Sequence, residues 1–314
     1  MPSRPEKRRS AFLLLACCLS LLWSGGCKRQ EAPPLEKPET ASRQGKTLVI
    51  GLIPEQNIFR QMERYEPLSR YLSQKTGVRI ELTVLPRYGN IVHNFVAAGM
   101  DGAFFGSFTY CLAHQRVGVE VLARPESLDG LSTYHGMILV RKDSGIRSAQ
   151  DMRGRRFAFV DKATTAGYLL PLAYFNDHQI DYRSYFHETY FAGTHEDVIY
   201  DVLNRKADVG AAKNTVFSRL AAADPRISRE LAVLAVSPEV PENGLALRKG
   251  LDGALKKAML DALLTMHADA EGKDILKAFG ASRFIRTVDA DYQAVYDYAR
   301  AIRLDLATYD YLND

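Results

Sequence analysis

The sequence predicts an α/β protein of two Rossmann-like lobes joined by two crossing hinge strands, and three observations predict it. From Thr47 onward, short apolar runs alternate with stretches of helical periodicity. The alternation occurs as two series, separated by one long β-prone run, Thr133–Lys142 (TYHGMILVRK). A second run of the same kind, Leu231–Ser237 (LAVLAVS), follows the second series and is expected to lead the chain back.

In the first series Thr47–Pro54 (TLVIGLIP) is an apolar run closed by proline and predicts a buried strand. Phe59–Thr76 predicts a helix that stops at Gly77, and Val78–Leu85 alternates as a strand does. Gly89–Ala98 reads as a helix and Gly102–Phe105 as a brief strand. Ser107–Arg116 reads as a helix with a serine cap, followed by the strand Val119–Ala123. The second series predicts strands at Arg156–Val160, Glu188–Phe191 and Asp208–Ala212, with helices at Ala166–Asp177, His195–Asn204 and Val216–Ala222. Three helices then follow, Leu251–Ala268, Gly272–Phe279 and Asp289–Leu306. This rhythm predicts parallel sheets covered on both faces. The expected division is residues 46–136 with 238–314 in one lobe and 137–237 in the other. Ligands of such sheets bind beyond the carboxyl ends of the strands, which places the expected site in the cleft between lobes.

The 314 residues carry 41 Lys and Arg against 37 Asp and Glu. So small an excess, with no basic run interleaved with aromatics, argues against nucleic-acid binding. Part of that excess lies in Arg4, Lys7, Arg8 and Arg9, ahead of the apolar Ala11–Trp23 (AFLLLACCLSLLW). A basic segment, a short apolar segment and the small residues Ser24, Gly25 and Gly26 make an export signal over residues 1–26, too short for a membrane-spanning helix. Cys27 at that boundary resembles a bacterial lipobox, although Ser24 stands where Leu is usual. The resemblance implies an acylated Cys27, an anchor in a membrane facing the periplasm and, with Lys28 next, release to the outer membrane. Residues 27–45, rich in Pro, Glu, Lys and Gln, read as a tether with nothing to bury. Cys111 is then left without an internal disulfide partner and reads as a small buried hydrophobe.

The sharpest local signal is Asp161-Lys-Ala-Thr164-Thr165-Ala166-Gly167-Tyr168, which follows the strand RFAFV and opens a helix. Two hydroxyls beside the unpaired N–H groups of a helix start suit an anion; simple capping by threonine is the alternative. Pro171, one turn further, lacks a donor and should bend the helix.

Three stretches resemble the phosphate-, phosphite- and phosphonate-binding proteins of ABC importers, which have the type II periplasmic binding-protein fold. They are PRYGNIVHNF…DGAFFGSFTY, TYHGMILVRKDSGI and FVDKATTAGYLLPLAYF, followed by FAGTHEDVIYDVLNRKADVGAA at the expected spacing. The resemblance spans about Thr47 to Leu306. It implies that Thr164 and Thr165 grip phosphorus oxygens, that Ala166 offers its N–H where many members carry a third hydroxyl, and that Tyr88 and Tyr134 reach the ligand. It also implies that His195 donates from the second lobe. Gln56, Asn57, Ser107 and Asn214 are weaker candidates near the same cleft.

The stretch Ala212-Lys213-Asn214-Thr215 carries no acid where aminoalkylphosphonate binders resemble each other in having carboxylates. Lys213 is therefore expected to attract an anion and repel an ammonium. His93, His114, His135, His187 and His195 show no metal-ligand spacing, and no nucleophile elbow or phosphate loop occurs, so neither an enzyme nor a cofactor is expected. The expected partners are a small anionic ligand, ABC permease subunits and the membrane through the anchor, with the protein a monomer. The alternative is a sensing subunit of the same fold.

Overall fold

The computed structural model describes residues 45–85, 88 and 90–313. The export signal, Cys27 and most of the tether lie outside the described residues. In chain order the first half holds β1 (Thr47–Leu52), α1 (Ile58–Thr76), β2 (Arg79–Val84), α2 (Ile91–Ala97), β3 (Gly102–Phe105), α3 (Ser107–Val117) and β4 (Glu120–Ser127). The short β5 (Thr133–Tyr134) leads into β6 (Gly136–Arg141), β7 (Arg156–Phe159), α4 (Leu170–Asp177) and α5 (Tyr182–Tyr185). Then come β8 (Glu188–Phe191), α6 (His195–Leu203), β9 (Val209–Lys213), α7 (Asn214–Ala223), α8 (Arg226–Glu230) and β10 (Leu231–Val236). The chain closes with β11 (Val240–Pro241), β12 (Gly244–Leu247), α9 (Gly253–Thr265), α10 (Ala270–Phe279), β13 (Ala281–Arg286) and α11 (Gln293–Ala301).

Two sheets organise these elements, and each defines a lobe. The first has the order β13-β4-β12-β3-β1-β2, and the second β10-β6-β9-β7-β8. Apolar strand residues decide which face each helix covers. Leu48, Ile50 and Leu52 of β1 pack with Tyr65, Leu68 and Leu72 of α1 and with Met259 and Leu263 of α9. The opposite face, including Ala103 and Phe105, joins Phe108 and Leu112 of α3 in a cluster that continues to Val160 and Val198 of the second lobe. In that lobe Phe157, Phe159, Phe175 and Phe186 form an aromatic core on the other face, with Phe157 and Phe159 ring centroids 4.5 Å apart. Helix α1 starts where Asn57 accepts from the N–H groups of Phe59 and Arg60. It stops at Gly77, whose φ of 71° suits glycine.

The two-sheet α/β architecture agrees with the expectation, and the strand directions differ from it. β1 pairs parallel with β2 and β3, but β12 runs antiparallel to both β3 and β4, and β13 antiparallel to β4. In the second sheet β7 is parallel to β8 and β9, while β6 is antiparallel to β9 and to β10. Strands entered from the hinge need no βα crossover, so nothing forces them parallel. Leu231–Ser237 does not carry the chain across: Leu231–Val236 stays in the second sheet beside β6. The crossing is made by the two-stranded ribbon of β5 and β11, where Val240 faces Tyr134 and Pro241 faces Thr133.

The helix expected over Asp289–Leu306 is also shorter than its pattern. A 3₁₀ turn at Asp289–Tyr292 precedes α11, and Arg303 turns the chain with φ 58°. The segment beyond crosses from the first lobe to the second. Arg116 donates to the carbonyls of Leu306 and Tyr309, and Tyr309 Oη donates to the carbonyl of Lys162.

Candidate functional site

The site begins where β7 ends. Asp161 Oδ1 accepts from the Ala163 N–H at 2.9 Å, and the Asp161 carbonyl accepts from both the N–H and the hydroxyl of Thr164. This side-chain turn brings Thr164 to the helix entrance. The helix opens with a π turn over Thr165–Leu169, in which the Leu169 N–H reaches the Thr164 carbonyl at 3.1 Å. Pro171 explains it. A regular helix would need an N–H at 171 for the Gly167 carbonyl, and proline has none. The Val160 N–H of the adjoining strand takes that carbonyl instead, at 3.2 Å. The bend expected at Pro171 is thus expressed as a widened first turn. Gly167 is required there: a Cβ would lie 2.4 Å from Val160 and 2.8 Å from Thr164 Oγ1.

Thr164, Thr165, Tyr88, Tyr134 and His195 line one small cavity between the sheets, with Glu55, Thr109, Lys213 and Asn243 also in its wall. About 10 Å³ within it is free, so the lobes meet closely around it. Thr165 Oγ1 accepts from the Phe108 N–H at the start of α3, 2.8 Å away, across the cleft. Thr164 donates its hydroxyl to the Asp161 carbonyl and turns only lone pairs elsewhere. Tyr88 is 2% exposed, and its hydroxyl has no hydrogen-bond partner among the described residues. Burial holds the Tyr88 and Tyr134 phenols above their ordinary range, so both keep their protons.

His195 is the first residue of α6, behind its N-cap Thr194. Burial, opposed by Glu55 and reinforced by Lys213 and Arg219, lowers its pKa to about 3. The ring is neutral at physiological pH. Its Nδ1 accepts from the Lys213 N–H at 3.3 Å, so the remaining proton sits on Nε2. Tyr88 meets the imidazole edge-on at 6.2 Å between centroids.

Lys213 is the main departure from expectation. Its ammonium is buried and already engaged, donating to Glu55 Oε1 at 2.9 Å, Asn243 Oδ1 at 3.1 Å and Glu242 Oε1. It also lies 4.2 Å from the centre of the Tyr134 ring. Burial opposes charge on Lys213, but Glu242 and Glu55 outweigh it and raise its pKa. The same balance holds Glu55 well below the usual carboxylate range, with Lys213 the largest stabilising neighbour. The stretch around Lys213 has no acid in sequence, yet two carboxylates of the other lobe reach it in space. Lys213 therefore gives no ground for excluding an ammonium.

The weaker candidates divide. Ala166 lies within the π turn, buried beside the hinge strand, where a Cβ on Gly136 would come within 3.2 Å of its Cα. Ser107 is buried and donates to the Pro241 carbonyl at 2.5 Å, bracing the ribbon. Asn214 accepts from the His135 N–H at 3.1 Å and does not border the small cavity, and neither does Gln56. Asn57 caps α1, and its N–H donates to Glu196 of the other lobe at 2.9 Å. Glu55, Glu242 and Asn243 were not foreseen. For Glu55 a signal existed: it is an acid directly after the apolar strand end Ile53-Pro54, where α/β sites lie. Glu242 and Asn243 follow β11, and nothing local marks them.

Comparison with known proteins places the chain in a family. The family described as ABC transporter, phosphonate, periplasmic substrate-binding protein matches residues 50–292. The phosphonates-binding periplasmic protein of Escherichia coli is 27% identical over 260 residues, covering 81% of this chain and 76% of that protein. A probable ABC transporter phosphite binding protein, PhnD1 of Prochlorococcus marinus, is 23% identical over 272 residues, covering 82% and 90%. Among solved structures, a binding protein component of an ABC phosphonate transporter from Pseudomonas aeruginosa superposes with a TM-score of 0.77 at 25% identity, covering 82% of this chain and 87% of that one. The fold is that of type II periplasmic binding proteins, and its relatives bind and deliver solutes rather than transform them. The chain belongs to the periplasmic substrate-binding proteins of phosphonate ABC transporters.

Proposed function

We propose that this protein captures a small phosphorus oxyanion, namely phosphate, phosphite or a simple phosphonate, in the cavity walled by Thr164, Thr165, Tyr88, Tyr134 and His195. One observation carries the reading: the Tyr88 hydroxyl is buried at this cavity and has no hydrogen-bond partner among the described residues. A buried, unmatched hydroxyl costs free energy that an oxyanion acceptor returns. Tyr88 Oη and His195 Nε2–H are neutral donors on residues that border this cavity, beside the start of the π turn at Thr165, which suits an anion; Ala166 does not border it. The Thr165 hydroxyl keeps its own proton to donate, because it accepts from Phe108. Lobes 46–136 with 238–314 and 137–237 part about the β5–β11 ribbon to admit the ligand. They close because the ligand contacts both lobes at once. The closed form then engages the permease, with Cys27 carrying the lipid anchor. The relatives named for phosphonate and phosphite support the ligand class.

Calorimetric titration tests the site. Replacing both Thr164 and Thr165 with alanine should weaken methylphosphonate, phosphite or phosphate binding by about 1.5–3 kcal/mol, the worth of the charge-assisted bond donated by Thr165, because the Thr164 hydroxyl proton is held by the Asp161 carbonyl. Unchanged affinity removes the two threonines from the reading. Tight 2-aminoethylphosphonate binding with none of the three smaller anions removes the ligand class.

A further inference from the structure

A second cavity, of about 260 Å³, lies on the far side of the wall made by Glu55, Lys213 and Asn243, which the two cavities share. Arg64 of α1 and Arg219 of α7 border it, one from each lobe. Neither arginine has an ion pair among the described residues. Arg64 Nε and Arg219 Nε and Nη2 are buried without any hydrogen-bond partner there. The Arg64 guanidinium rests 4.5 Å from the centre of the Phe279 ring and 5.3 Å from that of Tyr65, which fixes its plane without satisfying its donors. The acids of this cavity are taken: Glu55 and Glu242 hold Lys213, and Asp129 accepts from Ser127.

We propose that Arg64 and Arg219 together hold a second oxyanion in this cavity, bridging the two lobes beside the first site. Planar guanidinium forks with unused N–H groups match the oxygens of a sulfate, phosphate or carboxylate. Burial and the facing charge of Arg64 push Arg219 below the ordinary arginine range, a repulsion that a bound anion relieves. Because one arginine comes from each lobe, the anion favours closure. The wall of Glu55, Lys213 and Asn243 separates the cavities, so a free oxyanion fits the geometry better than the far end of a short ligand.

Sulfate titrated at constant ionic strength, with methylphosphonate absent and then saturating, reads the site directly. The wild type should take one sulfate under both conditions. Arg64→Gln and Arg219→Gln should each weaken that event at least tenfold while keeping the methylphosphonate equivalent. The Thr164/Thr165 double alanine variant should retain the sulfate event, which separates the two sites. No sulfate binding in the wild type, or binding unchanged in both arginine variants, overturns the proposal. Failure of methylphosphonate alone strikes the reading of the first cavity and leaves the sulfate measurement intact. Phosphonoacetate identifies the source: displacement of sulfate by its carboxylate shows one ligand supplying both anionic groups, and their independence shows a free anion.

Discussion

The Lys213 N–H donates to His195 Nδ1 at 3.3 Å, and that bond decides which nitrogen of the imidazole faces outward as a donor. A backbone N–H cannot accept, so Nδ1 must be bare, and the neutral ring carries its proton on Nε2. Ligand affinity is then expected to stay level from about pH 5 to pH 8 once the ligand's own ionisation is accounted for. His195 titrates near 3, and the phenols of Tyr88 and Tyr134 stay protonated. Calorimetry across that range checks this; a step near pH 6.5 that vanishes in His195→Gln would contradict it.

Stability should respond to acid through the same residue. The unfolded histidine takes a proton near its ordinary 6.5, whereas the folded one resists until about 3. The unfolded state therefore binds more protons between those values, and stability falls as pH drops from 6.5 towards 3. Denaturation midpoints measured over that window should decline less steeply in His195→Gln than in the wild type.

Tyr88→Phe should act with opposite signs on two measurements. Without ligand, removing a buried hydroxyl that has no partner among the described residues should leave stability unchanged or raise it by up to about 1 kcal/mol. Ligand affinity should fall about 10-fold or more, the loss of one hydrogen bond to a charged acceptor. Denaturation and titration of the same variant decide it; a variant less stable but equally tight would show the hydroxyl serving the fold.

Lys213→Met should weaken the closed form most. It leaves Glu55 and Glu242 across the cleft without their cation, and breaking a buried pair costs about 3–5 kcal/mol. Small-angle scattering should show a larger radius of gyration, and adding Glu55→Gln and Glu242→Gln should restore part of the compactness. An unchanged scattering profile in the single variant would mean that the triad does not hold the lobes together.

Gly167→Ala should disrupt the entrance of α4, since its Cβ would sit 2.4 Å from Val160. The expected cost is about 1–3 kcal/mol in stability, with ligand binding reduced as Thr164 is displaced. Thermal melting and titration together check this.

The alternating pattern made the two lobes legible because most strands are runs of buried aliphatics such as Leu48, Ile50 and Leu52. Gly244–Leu247 escaped because four small or apolar residues carry no period, and Ala281–Arg286 because Ser282, Arg283 and Arg286 make it read as a surface loop. In the site, local signals worked and distant ones failed. Thr164 and Thr165 stand together in sequence, and the cavity brings Tyr88, Tyr134 and His195 to them. The pairing of Lys213 with Glu55 spans 158 positions and no local pattern encodes it. The N-terminal export signal and anchor rest on sequence alone.

Pro171 and Gly167 act on the binding loop from behind it. The proline withholds one donor, the glycine's carbonyl turns to Val160, and the first helical turn widens around Thr165. The curvature of that loop is therefore inherited through positions that present no polar side chain to a ligand. A change of ligand preference in a descendant protein can arise at either position while every residue lining the cavity stays the same.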